Sequence, residues 1–213
     1  LYSQWFWFRT ADMDREQRIN ALPEIGSFTS NTNIDPAPDV LNILYGNAQL
    51  SIEIKFSIHG GAEGSDIGEQ IRIINRSRTA PLRMSFFQYS DFDLGADILD
   101  DYCEIVNPNV ARQADLGSGI VLNETVVTPQ AQNWEVNTFP TTIGRLDNAV
   151  VDNLNGNAGP GVGRADYTWA FQWNLEIAPG GSFLISKDKN IIVPAPGAIA
   201  LLGVAGLIAG RRR

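Results

Sequence analysis

The acidic residues between positions 91 and 101 are the clearest candidates for chemistry in this sequence. Carboxylate oxygens are the ligands that Ca²⁺ prefers, and an Asp-x-Asp spacing suits two ligands on one loop. The stretch is not an EF-hand loop, because Tyr102 stands at the twelfth position, where a Glu is needed. Two interpretations stay open, a calcium-binding loop and a solvated acidic loop without an ion. The candidate ligands are Asp91, Asp93, Asp97, Asp100 and Asp101.

Histidine-dependent catalysis would have to use His59, since the chain has one His and one Cys. That pair cannot build a thiolate zinc site, and one Cys cannot form an intramolecular disulfide. His59-Gly60-Gly61 is similar to the oxyanion motif of esterases, but there is no G-x-S-x-G elbow, and a His at a strand end followed by two Gly is more often part of a turn. Among 24 acidic residues, a glycosidase pair is neither supported nor excluded. We therefore expect no enzymatic activity and, apart from Ca²⁺, no cofactor; a secreted hydrolase is the third class considered.

The five tryptophans include candidates for stacking against a sugar ring. Trp169 and Trp173 share a predicted strand face with Phe171 and Leu175, so packing in the core accounts for them. Trp134 is under no such constraint and is the candidate ligand-binding residue. A carbohydrate-binding module, with Ca²⁺ on the acidic loop, is therefore the alternative function.

The charge is divided unevenly between the body of the chain and its C-terminus. The formal net charge is -8, from 16 basic and 24 acidic residues. Arg211, Arg212 and Arg213 are three of the basic residues, so the rest of the chain has 13 basic against 24 acidic residues. Such a body lacks the clustered Lys and Arg that nucleic acids require, and we expect no nucleic-acid partner.

The segment 197–210 precedes those arginines and contains no charged or polar side chain. As a helix its length would be about 21 Å, which is short of the roughly 20 residues of an ordinary membrane span. A buried helix of a soluble domain is usually amphipathic, whereas this segment is apolar all round. The arginines that follow it are typical of a cytoplasmic end. We predict a short transmembrane helix with a cytoplasmic C-terminus; a buried core helix is the alternative.

A proline motif, Val193-Pro194-Ala195-Pro196, stands directly before the apolar segment. The motif, the apolar segment and the basic tail together resemble a PEP-CTERM sorting signal, which ends exported bacterial proteins; Ala195 stands where that family has Glu. The resemblance implies that a membrane protease, an exosortase, cuts near the motif and releases or transfers the body. It divides the chain into a body, 1–190, and a sorting signal, 191–213, with motif 193–196, helix 197–210 and tail 211–213.

The body is also similar, at 84–93, 170–173 and 186–189, to uncharacterised PEP-CTERM proteins. Export requires a signal peptide, and Leu1 begins no such segment, so we expect a processed or shortened chain. The resemblance implies an exported protein, held transiently in the inner membrane and destined for the cell surface or extracellular matrix. Its implied partners are the exosortase and, for the body, an exopolysaccharide or other surface proteins.

Alternation of apolar and polar residues predicts strands in most of the body. The pattern is strict over 49–58 and 168–177, and each of these strands should bury one face and expose the other, as in antiparallel sheets. Weaker patterns predict strands at 4–9, 70–75, 83–89, 103–106, 110–114, 124–127, 134–138 and 182–187. A short helix is predicted over 143–153. Ten short strands separated by Gly, Pro and Asn predict an all-β fold, an antiparallel β-sandwich or jelly roll. For this domain we predict a structural or adhesive role.

Overall fold

The computed structural model describes residues 3–61 and 64–194, and strands make up most of that part of the chain. The one α-helix in these ranges is short, α1 (Thr141–Leu146), and a 3-10 turn covers Ile19–Ala21. The strands in chain order are β1 (Ser3–Thr10), β2 (Gln17–Arg18), β3 (Glu24–Ser30), β4 (Val40–Gly46), β5 (Leu50–Gly61), β6 (Gly64–Asn75), β7 (Leu82–Asp91), β8 (Asp101–Asn107), β9 (Val110–Asp115), β10 (Val121–Thr128), β11 (Asn133–Thr138), β12 (Gly161–Val162), β13 (Tyr167–Ile177) and β14 (Ser182–Ile192).

The strands form two antiparallel sheets that enclose a common core. The smaller sheet has the order β11-β13-β7-β1-β2, and the larger has the order β12-β8-β9-β10-β14-β6-β5-β4-β3. An isolated parallel bridge joins Asp100 to Ala165. The predicted all-β, antiparallel and sandwich-like architecture is therefore confirmed.

The core lies between the inner faces of the two sheets. The strands whose apolar and polar residues alternate strictly point their apolar side chains into it. Leu50, Ile52 and Ile54 of β5 are buried there, and so are Trp169 and Trp173 of β13. All ten strands predicted from the sequence are present, most of them longer than predicted. Burial of these side chains removes apolar surface from water, which is the main favourable contribution to folding.

The outer face of the smaller sheet differs in part from the prediction, because one end of it is covered while Asn174 and Glu176 are exposed as predicted. Thr168, Ala170 and Gln172 were expected to face water, but all three are buried. The segment after β11, which includes α1, packs over them with Leu146 and Leu154. The backbone N–H of Leu154 donates to Gln172 Oε1 at 2.9 Å, so this polar side chain is satisfied without solvent.

The helix in this segment is shorter than the predicted range 143–153. It ends at Leu146, and the chain beyond it is held by side chains instead of by helical hydrogen bonds. Arg145 donates to Asp152 Oδ1 and to the carbonyl of Asn153, at 3.3 and 2.6 Å. Val150, which helical spacing would place on the same face as Leu146, is exposed.

Strands β3 and β4 were not predicted, and they extend the edge of the larger sheet. Every residue of β3 is exposed, so its sequence carries no buried face for alternation to reveal. At the other end of the chain, β14 continues to Ile192, two residues past the predicted boundary at 190. Within the described residues no helix is long and apolar enough to cross a membrane. The predicted helix 197–210 lies outside the described residues, as do Ala195, Pro196 and Arg211–Arg213.

Candidate functional site

The first of two aspartate triplets lies where strand β7 ends and strand β13 begins, in the smaller sheet. Strand β7 ends at Asp91, Asp93 follows in the next loop, and Asp166 stands one residue before β13 begins. Because Asp91 pairs with Thr168 across β7 and β13, the two chain segments converge at this point. One carboxylate oxygen from each of these three aspartates lies within 4.8 Å of the others.

A second triplet of aspartates comes from β8 and β9 of the larger sheet. Asp101 and Asp115 are directly opposite each other in the antiparallel pair, and Asp100 precedes Asp101. Carboxylate oxygens of these three residues also lie within 4.8 Å of one another. Like charges directly opposite in neighbouring strands are destabilising, so this pairing is unfavourable unless something compensates it. The two triplets together are called the acidic centre.

The acidic centre receives no compensating charge from the part of the chain that the structure describes. None of its six carboxylates forms an ion pair with a Lys or Arg in residues 3–61 and 64–194. Asp91 and Asp101 are almost completely buried, and the Oδ1 atom of each has no hydrogen-bond partner. Burial, reinforced by Asp166, raises the pKa of Asp91 to about 6. Burial also raises the pKa of Asp101 to about 7, against a hydrogen bond from Gln113 and with repulsion from Asp115.

Neutral donors hold the buried aspartates in place without neutralising them. Tyr89 Oη donates to Asp91 Oδ2 at 3.0 Å. The buried Gln113 Nε2 donates to Asp101 Oδ2 and to the carbonyl of Phe92, and the Ser118 amide donates to Asp115. These bonds orient one oxygen of each carboxylate, and the other oxygen of Asp91 and of Asp101 receives no hydrogen bond.

Two glycines allow the backbone to approach the second triplet closely. A Cβ at Gly95 would lie 2.5 Å from Asp115 Oδ2, and one at Gly117 would lie 2.7 Å from Asp100 Oδ2. Gly95 also has a φ of 75°, in the left-handed region that favours glycine. A side chain at either position would enter the space between the carboxylates.

The acidic loop predicted from the sequence is only partly the centre that the structure assembles. Asp91, Asp93, Asp100 and Asp101 belong to the triplets, whereas Asp97 is exposed and its Oδ1 accepts from the amide of Leu99 at 3.0 Å. The sequence analysis missed Asp115 and Asp166, which are distant along the chain. Strand pairing places them beside the other aspartates. No local sequence pattern identifies them as members of the centre.

The other predicted site residues lie elsewhere. Trp134 is partly buried and packs against the core, and its Nε1 has no hydrogen-bond partner. His59 is exposed near the end of β5, opposite Asp66 of β6. Val193, the first residue of the proline motif, is exposed directly after β14, and Pro194 follows it as the last described residue.

A second cluster of charged residues is fully buried between the sheets, and we call it the balanced cluster. It consists of Glu69, Glu124, Lys187 and Lys189. Lys187 Nζ lies 2.6 Å from Glu69 Oε2 and 2.9 Å from Glu124 Oε1, and Lys189 Nζ lies 2.8 Å from Glu69 Oε2. Although burial alone acts to raise it, the two lysines lower the pKa of Glu124 to about 2.

The smaller sheet supplies neutral donors to the balanced cluster. Trp169 Nε1 donates to Glu124 Oε2 at 2.8 Å, and Gln4 Nε2 donates to Glu69 Oε1 at 2.6 Å. Both charge and hydrogen bonding are therefore satisfied within the protein. The sequence analysis missed this cluster, although period-two alternation from Ile185 places Lys187 and Lys189 on the inner face of β14.

A groove of about 650 Å³ lies on the outer face of the larger sheet, across β3, β4, β5, β6 and β14. Strand register arranges its side chains in two rows that cross the strands. One row contains Phe28, Asn42, Lys55 and Gln70, and the other contains Gly26, Leu44, Glu53, Arg72 and Leu184. Phe28 and Leu184 are exposed, so apolar surface alternates with hydrogen-bonding groups along the groove.

No protein-family model matches the chain, and no curated protein matches it. Among solved structures, 96% of the chain is similar to a human-microbiome protein described as a kojibiose phosphorylase, with 9% identity and a TM-score of 0.46. A family GH92 alpha-mannosidase from Bacteroides thetaiotaomicron matches 94% of the chain, with 10% identity and a TM-score of 0.38. The chain spans only 24% and 25% of the lengths of these two proteins. Similarity of this extent assigns no activity to the chain.

Proposed function

We propose that this chain is an exported β-sandwich that binds a neutral glycan of the cell surface or extracellular matrix in the outer groove of its larger sheet. The observation that carries the proposal is the composition of that groove. An exposed aromatic ring, Phe28, stands at one end and an exposed Leu184 at the other. Between them lie amide, carboxylate, ammonium and guanidinium groups.

This combination suits a sugar chain better than an apolar ligand. A sugar ring presents an apolar C–H face, which packs on an aromatic ring, and a rim of hydroxyls, which both donate and accept hydrogen bonds. Asn42 and Gln70 supply both kinds of partner, Glu53 accepts, and Arg72 donates through a planar fork. Pockets that bind small molecules likewise combine apolar surface with a few placed polar groups.

The charge of the body favours a neutral glycan over an acidic one. Without Arg211–Arg213 the chain has 13 basic and 24 acidic residues, and this excess repels anionic polymers. Within the groove, Lys55 and Arg72 are accompanied by Glu53. The groove therefore does not form the basic patch that an acidic polysaccharide would require.

The test is affinity electrophoresis of the full chain, with mild detergent in every sample, through gels containing a neutral β-glucan, a mannan or a starch. We expect retardation by at least one polymer. Phe28→Ala and Arg72→Ala should each weaken binding about tenfold, or about 1.4 kcal/mol. Matched controls are Val106→Ala and Arg112→Ala, exposed residues of β8 and β9 outside the groove. Migration unaffected by every polymer, or equal losses in the controls, would contradict the proposal.

Export and sorting form the second part of the proposed function. The proline motif begins at Val193, which is exposed directly after the last strand, so a protease could reach it without unfolding the sandwich. We propose that an exosortase cleaves at Val193–Pro196 while the 197–210 segment holds the chain in the membrane and Arg211–Arg213 remain inside.

The sorting proposal is tested by the intact mass of the protein that a bacterium with an exosortase releases. The expected mass is that of a chain ending near Pro196, with or without an added group. Replacing Arg211–Arg213 with Gln should reduce membrane retention and processing. A released chain that still ends at Arg213 would refute cleavage, and unchanged fractionation of the Gln variant would refute the role of the arginines.

A further inference from the structure

We infer that the acidic centre holds two Ca²⁺ ions, one in the triplet Asp91, Asp93 and Asp166 and one in the triplet Asp100, Asp101 and Asp115. The inference is independent of the proposed glycan groove. The groove lies on the outer face of β3–β6 and β14, whereas the acidic centre is formed by β7, β8, β9 and the residue that precedes β13.

The spacing of the oxygens within each triplet fits Ca²⁺ well. Ca²⁺ binds oxygen at about 2.3–2.6 Å, so ligands on opposite sides of one ion are up to about 5 Å apart. Mg²⁺ demands a strict octahedron at about 2.1 Å and usually keeps several water ligands, so it is less suited than Ca²⁺ to a site of three protein carboxylates. The oxygens of each triplet lie within 4.8 Å of one another, and all of them are hard carboxylate donors. Thiolates and imidazoles, which would favour zinc or copper, are absent from both triplets.

The unpartnered buried oxygens are an independent indication of a ligand. Asp91 is 0% and Asp101 is 1% exposed, and the Oδ1 of each lacks any hydrogen-bond partner. A buried polar atom without a partner costs free energy, and native proteins pair nearly all such atoms. Each triplet contains one of these two residues, so each includes a buried carboxylate oxygen that a cation could pair.

Each triplet is also partly exposed, so an ion can reach it from solution. Asp93, Asp100 and Asp166 are partly exposed while Asp91, Asp101 and Asp115 are buried. Each triplet therefore combines a dry inner side with a side open to water, which can complete the six to eight ligands of Ca²⁺.

The position of the centre suggests what the ions do. Asp91 and Asp166 flank strands of the smaller sheet, whereas Asp101 and Asp115 belong to the larger sheet. The parallel bridge between Asp100 and Ala165 links the two triplets through neighbouring backbone. Bound Ca²⁺ would hold the loop after β7 against the residue before β13 in one triplet, and β8 against β9 in the other, where carboxylates otherwise repel one another.

Isothermal titration of CaCl₂ into the chelator-treated full chain, with mild detergent present, tests the inference. We expect a stoichiometry near two and dissociation constants no weaker than about 10⁻³ M, the weak end for extracellular calcium modules. MgCl₂ should bind at least tenfold more weakly. Asp91→Asn and Asp101→Asn should each remove one site or weaken it at least tenfold, because each loses a charged ligand but keeps its shape.

Asp97→Asn is the matched control, because Asp97 lies in the same acidic loop but outside both triplets. It should bind Ca²⁺ like the wild type. Cooperative thermal unfolding of each variant in EDTA verifies that it is folded. The inference is overturned by a stoichiometry of one or zero, by Asp97→Asn weakening binding as much as Asp101→Asn does, or by folded Asp91→Asn and Asp101→Asn variants that bind normally.

Discussion

The balanced cluster and the acidic centre are both built from buried charged side chains, but they resolve the cost of burial in different ways. In the balanced cluster two lysines face two glutamates, and Trp169 and Gln4 donate to the remaining oxygens. In the acidic centre no lysine or arginine of the described chain pairs with any of the six aspartates. Within residues 3–61 and 64–194, one cluster contains its own counterions and the other does not.

This difference distinguishes a structural cluster from a binding site. A buried ion pair is tolerated when attraction and hydrogen bonds offset desolvation, and it then needs nothing from solution. The six aspartates, four of which have a buried oxygen without a hydrogen-bond partner, repel one another when no cation is bound between them. Their arrangement is explained if a cation from solution completes it.

Breaking the balanced cluster should have the largest effect on stability. Lys187→Met leaves Glu69 and Glu124 with Lys189 as their only buried cation, and removal of one partner of a buried pair costs about 3–5 kcal/mol. Urea unfolding measures the loss. Lys55→Met, an exposed lysine of β5, should change the free energy of unfolding by less than about 0.5 kcal/mol. Equal effects of the two substitutions would contradict the structural role of the cluster.

Acid should weaken the balanced cluster within a defined pH range. Folding lowers the pKa of Glu124 from its ordinary 4.5 to about 2. Its contribution to stability is therefore fully present above about pH 4.5 and is lost as the pH falls toward 2. The difference in unfolding free energy between wild type and Glu124→Gln should narrow across that range. A difference in unfolding free energy between wild type and Glu124→Gln that does not change with pH would refute the assignment.

Removal of Ca²⁺ should change glycan binding very little, and this is the smallest effect that we expect. The groove and the acidic centre share no residue, so EDTA should change retardation by a neutral polysaccharide less than twofold while the protein stays folded. Retardation abolished by EDTA in folded protein would instead indicate that the sugar contacts the ion. Circular dichroism of the same samples verifies the fold.

The sequence predicts the sandwich well wherever a strand buries one face. Strands β5 and β13 stand out because their apolar residues alternate for ten positions. Strand β3 was missed because it is exposed along its whole length, so its position depends on pairing with β4 and not on its own burial. The outer face of β13 was wrongly assigned to water at Thr168, Ala170 and Gln172, because alternation cannot reveal that the segment with α1 and Leu154 covers them; Asn174 and Glu176 are exposed, as predicted.

The two charge clusters differ in how much the sequence reveals of them. Four of the six aspartates of the acidic centre are close along the chain, and the sequence analysis identified them as a group. Asp115 and Asp166 are distant along the chain, and only strand pairing places them beside the other four. The inward position of Lys187 and Lys189 follows from the period of β14. Their partners, Glu69 and Glu124, come from neighbouring strands, and register between strands is not contained in the local pattern.

The most direct test of the contrast is the order of melting temperatures of wild type and Asp101→Asn in EDTA and in about 5 mM CaCl₂, a concentration above the 10⁻⁴–10⁻³ M range of extracellular calcium modules. In EDTA, at a pH well above the raised pKa of Asp101, the variant should melt higher, because it removes one of several uncompensated charges. In CaCl₂ the wild type should gain about 4 °C or more and melt higher than the variant. An order of melting temperatures that is the same in EDTA and in CaCl₂ would contradict calcium binding at the acidic centre.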